Sequence, residues 1–143
     1  SVHITEAGVE FEIDELPVIL GDAEQIRQLF QNLISNAIKF RAPDKACRIR
    51  IGWEKRPDRC RITVADNGIG FSQQHAAKIF EPFQQLNSKR SYGGTGIGLA
   101  ICARVIERHG WSLYAQSEPG QGAAFTIDLK PESVCNPQDQ KAA

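Results

Sequence analysis

Between residues 22 and 40 the apolar positions Ile26, Leu29, Phe30, Leu33, Ile34, Ala37 and Ile38 recur at i, i+3, i+4, i+7, i+8, i+11 and i+12. That spacing predicts a helix with one buried face. Asp22 stands where a cap is needed, and Glu24 suits the positive end of the helix dipole. Strict alternation predicts strands elsewhere. Residues 3–5 and 9–13 read as short strands or a hairpin around Gly8, and residues 16–21 as a connector to the helix cap. Residues 47–55 and 59–66 alternate strongly about a tight turn at Pro57-Asp58, which predicts an antiparallel hairpin. Its buried faces carry Ile49, Ile51 and Trp53 on one strand and Cys60, Ile62 and Val64 on the other.

Further along, Ser72 is placed to cap a short helix over residues 73–80, with Ala76, Ile79 and Phe80 facing inward. Residues 84–92 are polar and without period, which fits a lid-like loop. Glycines 93, 94, 96 and 98 crowd the start of a helix that runs to His109 and Gly110, with Ile97, Ile101 and Val105 along one side. Two more alternating strands, residues 111–117 and 123–129, flank a Glu-Pro-Gly-Gln-Gly turn. The tail, residues 131–143, is polar and aperiodic, so disorder is expected there. The domain itself is expected to be residues 1–130.

Composition narrows the function classes. A chain of 143 residues, 41% hydrophobic and 24% charged, fits one ordinary globular domain. Seventeen basic residues balance seventeen acidic ones, so no net field favours nucleic acid or an anionic membrane. No apolar run reaches membrane-spanning length and nothing resembles a signal peptide, so a cytoplasmic domain is expected, joined to any membrane only through other sequence. Cys47, Cys60, Cys102 and Cys135 lack metal-ligand spacing and read as reduced thiols.

Three stretches carry candidate chemistry. On the long helix, Asn32, Asn36 and Lys39 share a stripe beside the apolar face. Asparagine is a mediocre helix former, so the stripe is either a solvated flank or a place that offers amide oxygen to a metal and an ammonium to a phosphate. At the end of the second hairpin strand, Asp66 is followed by Gly68 and Gly70. This is a good turn, and it also allows backbone to approach a flat ligand beside a directional acceptor. The third stretch, Gly93 to Gly98, leaves backbone N–H groups at a helix start free to face an anion, although a lid hinge needs glycine as well. It is not a Walker-type loop, because no Gly-Lys-Ser/Thr follows.

Taken in order, these segments resemble the ATP-binding catalytic domain of sensor histidine kinases, within the gyrase-type ATPase superfamily. QNLISNAIKF resembles the asparagine box, DNGIG the first glycine box, IFEPF the phenylalanine box and GGTGIGLAI the second glycine box. SEPGQGAAFTIDL is similar to the closing strands. The resemblance implies an α+β two-layer sandwich, the Bergerat fold, in which a mixed, mostly antiparallel sheet packs against helices. It implies Mg2+ held by Asn36, with Asn32 and Lys39 facing metal and phosphates as the catalytic pair. Asp66 would accept from the adenine amino group, with Gly68 and Gly70 allowing close approach. Gly94, Thr95, Gly96, Ile97, Gly98 and Leu99 would surround the phosphates of ATP, with Lys89 or Arg90 as basic lid residues. Phe80 and Phe83 would anchor the lid.

One position separates reaction classes. Where the superfamily's hydrolases carry a glutamate that activates water, one turn before Asn36, this chain has Asn32, which cannot act as a general base at neutral pH. The pattern departs at Gln85, where many histidine kinases have arginine, and at Trp111, where a second glycine is common, expected to affect packing alone. His3, His75 and His109 do not sit in a phosphoacceptor pattern. The resemblance therefore implies two protein partners: a histidine-bearing dimerisation domain of the same full-length protein and a downstream response regulator. The competing readings are a degenerate nucleotide- or partner-binding module without phosphotransfer and an anti-sigma-type serine kinase.

Overall fold

The computed structural model describes residues 1–81 and 97–135. Its elements are β1 (Val2–Glu6), β2 (Val9–Ile13), β3 (Val18–Ile19), α1 (Ala23–Lys39), β4 (Cys47–Lys55), β5 (Cys60–Asp66), α2 (Gly98–His109), β6 (Ser112–Ser117), β7 (Ala123–Leu129) and β8 (Val134–Cys135). Six strands form one sheet in the order β1-β2-β4-β5-β7-β6. Strands β2 and β4 run parallel, and every other neighbouring pair is antiparallel. A parallel pair needs a crossover, and the connector with α1 supplies it.

One face of the sheet is covered by α1 and α2. Ile49, Ile51, Ile62, Val64, Phe125, Ile127 and Leu129 from the strands meet Leu29, Leu33, Cys102, Val105 and Ile106 from the helices. Leu29, Leu33 and Ala37 are the buried residues of α1, and the remaining members of its apolar stripe pack at the margin of the core. The helix begins as its sequence predicts, with the Asp22 side chain accepting the Gln25 N–H at 3.0 Å. In α2 the buried stripe falls on Ala100, Cys102, Val105 and Ile106, and Ile101 is half-buried. Cys47, Cys60 and Cys102 are free thiols in the core, and burial pushes Cys102 up to about 12.

The opposite face of the sheet is laced with ion pairs. Arg48 meets Glu10 at 2.7 Å, Arg50 meets Asp14 at 3.3 Å and Arg61 meets Asp128 at 2.8 Å. Burial pushes the Asp128 carboxyl up, but hydrogen bonds from Arg61 and Arg59 outweigh it and hold the group below the usual range. Register explains the pairing. Glu10 stands opposite Arg48, Glu12 opposite Arg50 and Arg61 opposite Asp128, each pair on the side without helices.

Three expectations are corrected. Residues 73–80 form two short 3-10 turns, Gln73–His75 and Lys78–Phe80, closed by i to i+3 bonds, and Ser72 makes no side-chain cap bond. Residues 131–135, within the stretch expected to be disordered, carry structure: Pro131–Ser133 turns, and β8 pairs antiparallel with β3, whose two residues lie in the predicted connector. Leu20 N–H donates to the Ser133 carbonyl at 2.7 Å, and Trp111 Nε1 donates to the Ser133 hydroxyl at 3.1 Å. His109 does more than complement a dipole. Its Nε2 accepts the Asp22 N–H at 3.1 Å, its Nδ1 donates to the Val105 carbonyl at 2.7 Å, and its ring stacks on Trp111 at 4.5 Å. The C-terminus of α2 is thereby tied to the N-terminus of α1.

Candidate functional site

Helix α1 is the floor on which the candidate residues meet. Asn32 lies in its middle, and its Nδ2 donates to the Gln28 carbonyl one turn back at 2.9 Å. That bond turns Oδ1 toward the start of α2, where a Cβ placed on Gly98 would stand 3.2 Å from it. One turn on, Asn36 is half-buried, and its side-chain amide has no partner among the described residues. Lys39 follows, with Nζ 5.1 Å from the centroid of the Phe40 ring. At the helix end, the Phe40 carbonyl accepts the Ile69 N–H at 2.9 Å. The asparagine stripe, the first glycine box and the start of α2 are therefore brought together along one helix edge.

Asp66 ends the central strand β5. Its Oδ1 accepts from Gly68 N–H at 2.8 Å and from Ala123 N–H at 3.2 Å. Its Oδ2 has no hydrogen-bond partner among the described residues and is open to accept one. Burial pushes the Asp66 carboxyl up, and the bonds from Gly68 and Ala123 act against that rise. A carboxylate kept half-desolvated with one free oxygen is a strong, directional acceptor.

The glycines of the first box answer to the protein's own backbone. A Cβ on Gly68 would stand 2.4 Å from the Phe40 carbonyl oxygen, and one on Gly70 would stand 2.2 Å from the Glu118 carbonyl oxygen. The chain therefore packs closely against itself from both sides of the loop. Asn67 secures a third side. Its Oδ1 accepts the Arg48 N–H and its Nδ2 donates to the Ala46 carbonyl, both at 2.8 Å.

Sequence reasoning missed the turn over residues 118–122, read only as a link between strands. Gly120 N–H donates to the Ile69 carbonyl at 2.7 Å, and the Ser117 hydroxyl bridges Phe71 and Gly122. The signal was present as Gly120 and Gly122 two apart, the second buried directly beneath Asp66. A cavity of about 720 Å3 opens here, lined by Asp66, Gln73, Ser117, Glu118, Gly122 and Ala123 among others.

Of the second glycine box, Ile97, Gly98 and Leu99 are placed at the start of α2, all half-buried. Phe80 packs edge-on against Phe125, ring centroids 6.2 Å apart, which fixes the second 3-10 turn to the core. Phe83, Gln85, Lys89, Arg90, Gly94, Thr95 and Gly96, with the loop over residues 84–92, lie outside the described residues. Among the described residues no helix is long and apolar enough to cross a membrane, and none of the His, Cys, Asp and Glu side chains gather into a metal-holding group.

Comparison with known proteins gives the family. The family model for histidine kinase-, DNA gyrase B- and HSP90-like ATPases matches residues 21–133. The phytochrome-like protein Cph1 of Synechocystis is 43% identical over 127 residues, which cover 89% of this chain and 17% of Cph1. The chain thus spans about a sixth of that relative's length. Among solved structures, full-length ShkA in complex with AMPPNP aligns over 90% of this chain and 26% of its own, at 32% identity and a TM-score of 0.72. The mycobacterial sensor histidine kinase MprB aligns over 91% of this chain and 86% of its own, at 26% identity and a TM-score of 0.77. With an α+β sandwich, a family match over residues 21–133 and a sensor histidine kinase among its structural neighbours, the chain belongs to the histidine kinase-, DNA gyrase B- and HSP90-like ATPases, as a catalytic domain of the kind carried by sensor histidine kinases.

Proposed function

We propose that this domain binds magnesium-ATP and passes the γ-phosphoryl group to a histidine on a separate dimerisation domain of the same full-length protein. A downstream response regulator then takes it, in the cytoplasm. The observation that carries the reading is Asn32. It occupies the position of the hydrolases' glutamate, and its amide nitrogen is committed to the Gln28 carbonyl. No general base stands there to activate water, so the phosphoryl group is kept for an external nucleophile. In the transfer, the bond from the γ-phosphorus to the β–γ bridging oxygen breaks, a bond to an imidazole nitrogen forms, and ADP leaves.

The residues present fit a magnesium ion. A hard cation takes amide oxygen and keeps several waters, so one protein ligand with phosphates suffices. Asn36 supplies such an oxygen with no competing partner among the described residues. When bound, the metal neutralises phosphate charge. Asp66 Oδ2 holds the adenine amino group, Lys39 supplies positive charge from the helix end, and Asn32 Oδ1 faces the start of α2. The AMPPNP complex of the relative ShkA supports nucleotide as the ligand class. Calorimetry tests the binding half of the proposal. A non-hydrolysable ATP analogue is expected to bind, and chelating magnesium to weaken it by about tenfold or more. An affinity indifferent to magnesium would remove Asn36 from its role.

A further inference from the structure

We propose that Ser117 and Gln73 are positioning residues for Asp66, holding the turn over residues 118–122 so that only one oxygen of that carboxylate is left for the nucleotide base. The proposal rests on the reading of Asp66 as the adenine acceptor and adds two residues that lie outside the four boxes.

Ser117 is one of two buried polar residues in the core of the described structure, 8% exposed. Its hydroxyl accepts the Phe71 N–H at 2.8 Å and donates to the Gly122 carbonyl at 2.6 Å, so it clamps the loop after Asp66 to the turn before β7. The next residue, Ala123, then directs its N–H to Asp66 Oδ1. Gln73 holds the clamp from outside. It is exposed, but its Oε1 accepts the Ser117 N–H at 2.9 Å and its Nε2 donates to the Ala115 carbonyl at 3.1 Å, as a neighbouring strand would on the open edge of β6. With Gly68 and Ala123 both bonded to Oδ1, the carboxylate cannot swing and Oδ2 has a fixed direction. Lose the Ala123 contact and Gly68 alone holds it, as a hinge.

The test uses Ser117→Ala and Gln73→Ala in the whole chain, reading ATP and GTP affinities together with the titration of the Asp66 carboxyl by carbon NMR. GTP presents an acceptor oxygen where ATP presents the amino group, so in the same pose it cannot donate to the carboxylate at that position. Preference for ATP over GTP is expected to fall about five- to tenfold in Ser117→Ala, the worth of one hydrogen bond, and by less in Gln73→Ala. The Asp66 carboxyl is expected to titrate higher in both, because a donor to its charged form is lost. Cys47 is electrostatically coupled to Asp66, but burial and then Asp66 itself raise its thiol, so it stays neutral through that titration. Equal weakening of both nucleotides, or an unmoved Asp66 titration, would overturn the proposal. Should Ser117→Ala not fold, the exposed Gln73→Ala decides. If the wild-type chain binds no ATP, the acceptor reading fails, and the Asp66 titration in the free protein still decides the positioning role.

Discussion

Asp66→Asn is expected to weaken ATP binding about ten- to a hundredfold while leaving the domain as stable as before or more so. The affinity loss is that of a charge-assisted hydrogen bond, about 1.5–3 kcal/mol. Asparagine can still accept from Gly68 and Ala123 through Oδ1, but in place of the free Oδ2 it offers an N–H to an adenine amino group that is itself a donor. The stability half follows from the raised Asp66 carboxyl, which burial pushes up despite those two bonds. A group whose folded value lies above its unfolded one contributes stability that is full below the unfolded value, here 3.8, and is lost as pH rises through the folded value. At neutral pH the ionised Asp66 is therefore a cost to the fold, and a neutral isostere relieves it. Thermal melts across pH check the sign: any advantage of Asp66→Asn at neutral pH should shrink on acidification. A variant that melts earlier at pH 7 yet binds ATP normally would make Asp66 a structural turn residue.

Gly122→Ala is expected to be the most damaging single-methyl change, about 3–5 kcal/mol in denaturant titration. Gly122 has φ +79°, and a Cβ there would stand 2.1 Å from the Asp66 carbonyl oxygen and 2.9 Å from its carbon. Neither neighbour is a side-chain end that can step aside. Gly120 is the control within the same turn. It also has φ +79° but meets nothing within 4 Å, so Gly120→Ala should cost only the backbone preference, about 1 kcal/mol. Similar costs for the two would show that handedness, not contact with the Asp66 loop, sets the glycine requirement.

These two residues mark where the sequence was legible. Periodicity found α1, the β4–β5 hairpin and the last two sheet strands, because a buried face of several turns or alternations leaves a regular trace. It failed where long-range contacts decide. The two-residue strands β3 and β8 are too short to alternate, and a backbone ladder between residues 115 positions apart in the chain (Ile19 and Val134) fixes them. Residues 73–80 are too few to nucleate a helix alone. Gln73 is drawn to the β6 edge and Phe80 to Phe125, so two tighter turns win. For the site, chemistry-bearing residues such as Asp66 and Asn32 were visible by type and spacing. Ser117 and Gln73 were not, since an ordinary serine in a strand and an ordinary glutamine on a surface gain meaning only from what they reach. The glycines were visible by spacing, but spacing does not show which of the protein's own segments packs against them, here the Phe40 and Glu118 carbonyls.

The central claim is transfer of the phosphoryl group to histidine in place of hydrolysis. It is tested most directly by mixing this domain with its cognate dimerisation domain and γ-labelled ATP, then probing the product with acid. Acid-labile phosphohistidine, with little free phosphate released by the isolated domain, is the predicted result. Rapid phosphate release by the isolated domain, abolished in Asn32→Ala and without any labelled histidine, would contradict it.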